Sequence, residues 1–210
     1  MKYPNARLIQ FARYPKLGRV KTRLSPQLAD KDILNLYRRL VAHTYNSLHG
    51  ARLAPLAIWS DGEGDGDGFF AGLGVENHRS QHGRDLGERM YTAFAQELPP
   101  KGNAEMVVLV GSDCPLLSGD LVDEAFAALT EGANSVFGPA ADGGYYLIGL
   151  RTPQWELFRE IPWGTGEVYR LTLQRLKKLN WRNHELQTLE DIDRPCDLKI
   201  LDEIPHFFEN

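Results

Sequence analysis

This 210-residue sequence predicts a layered α/β domain, and three observations carry that reading. Val107-Val108-Leu109-Val110 is a short, β-branched apolar run ending at Gly111, too short for a helix and suited to a strand buried on both faces. Runs of that kind alternate along the chain with segments whose apolar residues recur at helical spacing. The length supports one substantial core and is short for two, so residues 1–210 are expected to form one domain.

In chain order, Arg7 to Phe11 reads as the first strand, followed by a long polar loop to about Pro26. Ile33, Leu36, Tyr37, Leu40, Val41, Thr44 and Leu48 mark an amphipathic helix. Pro55 to Trp59 is a second strand and Glu76 to Arg79 a short third. Leu86, Met90, Phe94 and Leu98 mark the next helix, with Asp85 and Glu88 spaced as a capping box. After the Val107–Val110 strand a helix opens near Ser118 and runs through Leu129. Ser135–Gly138 and Tyr145–Gly149 read as paired strands around Asp142-Gly143-Gly144. Val168, Leu171, Leu176 and Leu179 mark a late helix, and His184 to Leu189 a last strand.

Composition narrows the function classes. Hydrophobic residues are 42% and charged residues 25%, as in ordinary globular proteins. No apolar run is long enough to span a membrane, and the N-terminal residues lack the apolar core of a secretion signal. Cys114 and Cys196 alone do not make a disulfide framework, which points to the cytoplasm. A net charge of −4 argues against a nucleic-acid partner. The first forty residues nevertheless hold ten Lys and Arg against two acids, a local bias towards an anionic ligand.

Four segments could carry chemistry besides the Val107–Val110 strand. That strand leaves Asp113 at its tip, and in open α/β sheets ligands bind beyond the carboxyl ends of the strands, so Asp113 is a candidate metal ligand. The loop from Phe11 to Leu24 sets five basic residues around Gly18, in neither the common P-loop spacing nor Gly-x-Gly-x-x-Gly. Converging cations and free backbone N–H groups suit phosphate, which makes Arg13, Lys21, Arg23 and Gly18 candidates. Gln81 could read a base edge, Gly83 could permit its approach, and Asp85 could brace that loop while capping the helix. Asp142, before two glycines, is a candidate base for an acceptor. Asp191, Asp193 and Asp197 would repel one another unless cations or donors intervene. Asp191 is the preferred second metal ligand, with Asp193 capping the following turn or helix and Asp197 beside that helix. Asp61 to Gly68 looks like the start of a calcium loop, but Gly72 stands where a bidentate Glu is required, so a solvated loop fits better. Cys114 beside Asp113 is not an activated thiol.

Taken together, Phe-Ala-Arg-x-Pro-x-x-Gly-x-x-Lys-Thr-Arg-Leu, Asp-Leu-Gly-Glu-Arg-Met, Gly-Ser-Asp-Cys-Pro, Asp-Gly-Gly-Tyr-Tyr-Leu-Ile-Gly-Leu and Asp-Ile-Asp-x-Pro-x-Asp-Leu resemble one family over nearly the whole chain, with Arg84 standing where that family has a Gly. It is the small bacterial glycosyltransferases of the radical-SAM-associated or arsenosugar-biosynthesis type, within the GT-A nucleotide-diphospho-sugar transferase superfamily. The resemblance implies a three-layer fold with a mostly parallel mixed sheet, a nucleotide in the cleft and Mg²⁺ or Mn²⁺ on its diphosphate. It adds Ala12 and Ser112 to the nucleotide-binding candidates. The activity it implies is transfer of a sugar from a nucleotide-sugar to a small-molecule acceptor. A nucleotidyltransferase that releases pyrophosphate is the alternative, because the same superfamily holds both.

Overall fold

The first strand, β1 (Ala6–Ala12), is buried along nearly its whole length, and its side chains alternate between two cores. Ala6 and Leu8 join one cluster, Ile9 and Phe11 the other. The next strand inward, β4 (Met106–Val110), repeats the pattern, with Val108 and Val110 on the first face and Val107 and Leu109 on the second. A sheet covered on both faces needs such continuous apolar strands. The computed structural model describes residues 1–62, 68–205 and 207; most of the proposed calcium-type loop, residues 63–67, lies outside them.

Seven strands form one sheet in the order β3-β2-β1-β4-β6-β5-β7, where β2 is Leu56–Ser60, β3 His78–Ser80, β5 Ser135–Pro139, β6 Tyr145–Leu150 and β7 Asn183–Glu185. β6 runs against its neighbours β4 and β5, whereas the other pairings are parallel. Helix α1 (Asp30–Ala51) and helix α4 (Gly119–Thr130) cover one face. Helix α3 (Leu86–Glu97) and helix α5 (Val168–Leu179) cover the other, and α2 (Phe69–Gly72) is a single turn at the edge. The three-layer mixed sheet expected from the sequence is therefore present.

Two differences at element ends have local causes. The last strand stops at Glu185 rather than Leu189: Pro139 has no N–H to donate, and the next bridge beyond Phe137–Glu185, Ala140–Leu189, is slipped by one residue. Leu189 still donates to the Pro139 carbonyl at 3.1 Å. At α3, Asp85 Oδ1 accepts from the Glu88 N–H at 2.8 Å as a cap should. The Glu88 carboxylate, however, turns to the Arg84 N–H and guanidinium instead of completing a capping box on Asp85. Those bonds from Arg84 hold the Glu88 carboxyl down at about 2.

The topology decides where a ligand can sit. From β1 the chain crosses to β2 on one side, while β4 pairs on the other, so the sheet order reverses between β1 and β4. A crevice opens outside the carboxyl ends of strands at such a reversal. Because β6 is antiparallel, its beginning lies at this same end of the sheet, and so does the Asp142 turn before it.

Candidate functional site

A cleft of about 650 Å³ occupies that end of the sheet, within the size range usual for small-molecule sites. Ala12, Arg13, Lys21, Arg23, Gln81, Ser112, Asp113, Asp142 and Asp191 all line it. Gly18, Gly83 and Asp85 are not among its lining residues.

Asp113 follows β4 directly, and Asp191 reaches it from far along the chain by backbone lacing. Leu189 donates to Pro139, Ala141 donates to Leu189, and Ile192 donates to the Asp113 carbonyl at 2.9 Å. Asp191 is thereby set among Asp113, Asp142 and Lys21. Burial, then the charge of Asp142 and to a lesser degree that of Asp113, push its carboxyl up to about 6 against the pull of Lys21.

The basic loop closes the opposite wall. Lys21 takes a left-handed backbone (φ 45°, ψ 38°) at the start of a 3-10 turn, Thr22–Leu24. Leu24 is fully buried beneath that turn among Ile33, Leu36 and Leu40, an anchor worth about 2 kcal/mol. The Lys21 side chain is only 7% exposed, and its ammonium lies 3.0 Å from Asp113 Oδ1 and 3.9 Å from Asp193 Oδ1. Arg23 Nη1 meets Asp193 Oδ2 at 2.6 Å. Asp193 is thus an ion-pair partner and not the cap expected from the sequence. The cap is Asp197, whose Oδ2 accepts from the Asp193 and Arg194 N–H groups at 3.0 and 2.7 Å. Arg13 stands exposed at the rim, its N–H donated to the buried Tyr37 hydroxyl at 2.6 Å.

Several predicted side chains are occupied with the scaffold. Gln81 Nε2 donates to the Ala12 and Trp59 carbonyls at 3.1 and 2.7 Å, tying the ends of β1 and β2 together. Only its amide oxygen is left for a base edge. Ser112 Oγ, in the cleft floor, donates to the Phe11 carbonyl and accepts from Gln10 Nε2. At Gly83 a Cβ would fall 2.6 Å from the Arg89 nitrogen, so this glycine serves the approach of the loop to α3. Burial drives the Cys114 thiol well above its usual range, as an inert thiol requires.

Asp142 Oδ1 accepts from the Gly144 N–H at 2.8 Å, which fixes the carboxyl group at the rim. Gly143 sits at φ 88°, and a Cβ there would fall 2.3 Å from the Gly166 carbonyl oxygen. Gly143→Ala is therefore expected to lower stability by about 2–3 kcal/mol and to shift the Asp142 turn. A thermal melt unchanged from wild type would refute that.

The sequence reading passed over one wall of the cleft. Trp163, Gly164 and Thr165 line it together with Tyr145 and Val168. Trp163 packs so tightly on α3 that a Cβ on Gly87 would fall 2.7 Å from its indole nitrogen. The Trp-Gly-Thr-Gly run at 163–166 was the available signal. Helical spacing marks Tyr37 as a core residue of α1, yet its hydroxyl also grips both the N–H and the carbonyl of Arg13.

Among the described residues, no three His, Cys, Asp or Glu side chains converge into a metal cage. The site nevertheless fits a hard divalent cation. Mg²⁺ is commonly held by one or two carboxylates plus phosphate oxygens and water, and Asp113 and Asp191 are two such carboxylates facing one cleft.

Comparison with known proteins agrees with this architecture. The family model described as "Uncharacterized protein conserved in bacteria (DUF2064)" matches residues 40–165. A crystal structure described as a "putative nucleotide-diphospho-sugar transferase" from Desulfovibrio desulfuricans G20 is 35% identical, with a TM-score of 0.86 over 94% of this chain and 86% of that one. A cytidylyltransferase from Leptospira borgpetersenii superposes at a TM-score of 0.63 and 14% identity, over 98% of this chain and 88% of its own. Glucosyl-3-phosphoglycerate synthase from Mycobacterium tuberculosis, in complex with Mn²⁺, UDP and glucosyl-3-phosphoglycerate, superposes at 0.55 and 14% identity, over 92% and 74%. At those identities the last two show the fold alone. No curated protein matches the sequence. The chain belongs to the DUF2064 family, and its fold is that of the nucleotide-diphospho-sugar transferases.

Proposed function

We propose that this protein is a metal-dependent glycosyltransferase that moves a sugar from a nucleotide-sugar to a small-molecule acceptor, as the radical-SAM-associated glycosyltransferases it resembles would. The observation that supports this most is the meeting of Asp113 with Asp191 beside an enclosed lysine at the sheet reversal. Its 35% identity to the Desulfovibrio protein supports the same reading.

In this reading Arg13, Lys21 and Arg23 take the diphosphate by charge-assisted hydrogen bonds, and Asp113 and Asp191 hold Mg²⁺ or Mn²⁺. The bound cation neutralises charge on the departing diphosphate. Asp142 takes the proton of the acceptor hydroxyl as its oxygen bonds to the anomeric carbon and the bond from that carbon to the diphosphate breaks. Tyr37 holds the Arg13 backbone in place, and Trp163 with Tyr145 walls the cleft from water.

The test is product analysis. With Mn²⁺, the protein should release a nucleoside diphosphate from a nucleotide-sugar, slowly even to water. Pyrophosphate from a triphosphate, with no diphosphate from any sugar donor, would replace this reading with nucleotidyl transfer. The basic wall gives a second check. Changing Lys21 and Arg23 together to Ala should weaken diphosphate binding by about 2–3 kcal/mol in all and leave the bare nucleoside nearly untouched. Arg23 is 58% exposed and contributes the smaller part. Equal losses for both ligands would mean that the turn acts through folding.

A further inference from the structure

Lys21 is enclosed where surface lysines usually wave in water. Its side chain is 7% exposed, its backbone is in the left-handed region, and the 3-10 turn it begins is pinned by a 2.9 Å bond from the Leu24 N–H to the Lys21 carbonyl. The flanking Val20 and Leu24 are both buried. Of the two acids within ion-pair distance of it, Asp193 already has Arg23 at 2.6 Å and stands 3.9 Å away. Asp113, at 3.0 Å, is left as its principal counter-charge. The ammonium therefore stands on the same carboxylate that the proposed reaction assigns to a divalent cation.

We infer that Lys21 holds Asp113 in place of the metal until a diphosphate arrives, which makes divalent-ion and diphosphate binding mutually dependent. This rests on the metal-dependent reading of the site. A divalent ion arriving alone must displace an enclosed ammonium from Asp113 and leave it beside two new positive charges, with only Asp193, already paired to Arg23, to receive it. A diphosphate supplies that anion. Its oxygens accept the Lys21 hydrogen bonds, Asp113 is released, and the remaining phosphate oxygens complete the cation's coordination. Coupling of this kind is reciprocal: the diphosphate strengthens the ion by the factor by which the ion strengthens the diphosphate. One residue thereby acts both on phosphate and against premature metal binding.

The test is a Mn²⁺ titration of the full chain with no nucleotide, followed by calorimetry or by the electron-spin signal of free Mn²⁺. Lys21→Met, close in length and uncharged, should bind Mn²⁺ about tenfold more tightly than wild type, and Lys21→Gln should do so as well. Adding Asp113→Asn to Lys21→Met should erase the gain. A Lys21→Met protein that folds, by circular dichroism, yet binds Mn²⁺ no more tightly than wild type overturns the inference. Should neither Lys21 variant fold, lysine-detected NMR of the wild type decides. The Lys21 ammonium signal should stay put with Mg²⁺ alone and move with Mg²⁺ plus UDP, and a shift with Mg²⁺ alone is the overturning result. The Mn²⁺ titration uses no sugar donor, so it stands or falls separately from the assay for sugar transfer.

Discussion

Asp113→Asn should remove metal-dependent nucleotide binding almost entirely, lowering Mn²⁺ affinity in the nucleotide complex by about 100-fold or more. The amide is nearly isosteric, and β4, which ends three residues before it, is buried on both faces, so the sheet should survive. The change is not free of cost to the fold, because it strips the enclosed Lys21 of its 3.0 Å partner. Asp113 is about half exposed, so the loss should be about 1 kcal/mol, or roughly 2–4 °C in melting temperature at this chain length. Calorimetric titration of UDP at several Mn²⁺ concentrations, with a thermal melt alongside, measures both effects. Unchanged Mn²⁺ dependence in the variant would remove Asp113 from the ligand set.

Asp191→Asn should weaken the metal in the same way and yet make the free protein more stable. Its carboxyl is raised to about 6 from an ordinary 3.8, chiefly by burial and then by Asp142. A carboxyl raised on folding penalises the folded state wherever it is ionised. The penalty is absent below about pH 4, grows between about pH 4 and 6, and is full at neutral pH. The Asn variant should therefore gain about 1–2 kcal/mol at pH 7, partial exposure taking something off the full shift, and nothing near pH 3.5. Metal binding by the wild type should fall as pH drops through 6, since the ligand must be ionised. Melting curves of both proteins from pH 3.5 to 7.5 decide the matter. A variant less stable than wild type at pH 7 would show Asp191 to be a structural carboxylate.

These opposed effects rest on a placement that only part of the sequence announces. The strand before Asp113, the amphipathic helices, the Asp85 cap and the helix start near Ser118 follow from period and local chemistry, and each is where that chemistry puts it. The basic character of the Phe11–Leu24 loop was legible, and three of its five cations, Arg13, Lys21 and Arg23, do line the cleft. What could not be read was which side chains the scaffold would use first. Gln81 and Ser112 look free in sequence, but three backbone carbonyls at the ends of β1 and β2 need donors, and these two supply them. Asp193 and Asp197 are equivalent by spacing. Their division into ion pair and cap depends on where Arg23 lies, 170 residues earlier in the chain. The Trp163 wall was harder to read for another reason: a Trp between Pro162 and Gly164 has no periodicity, and it packs on the bare backbone of Gly87.

The lacing of residues 189–192 onto the ends of β5 and β4 also sets a schedule. Asp113 is made well before Asp191 and Asp193, which lie 78 and 80 residues further along the chain. The segment that follows them, through Ile200, Leu201 and Phe207, buries itself against Leu24, Ile33 and Leu40. One late docking event thus seats the second carboxylate and, through Leu24, firms the turn that presents Lys21 and Arg23. A ribosome-bound chain that stops before residue 189 can build most of the sheet but not the paired charges. If the site holds a divalent ion as proposed, a chain of that length lacks the second of its two carboxylates.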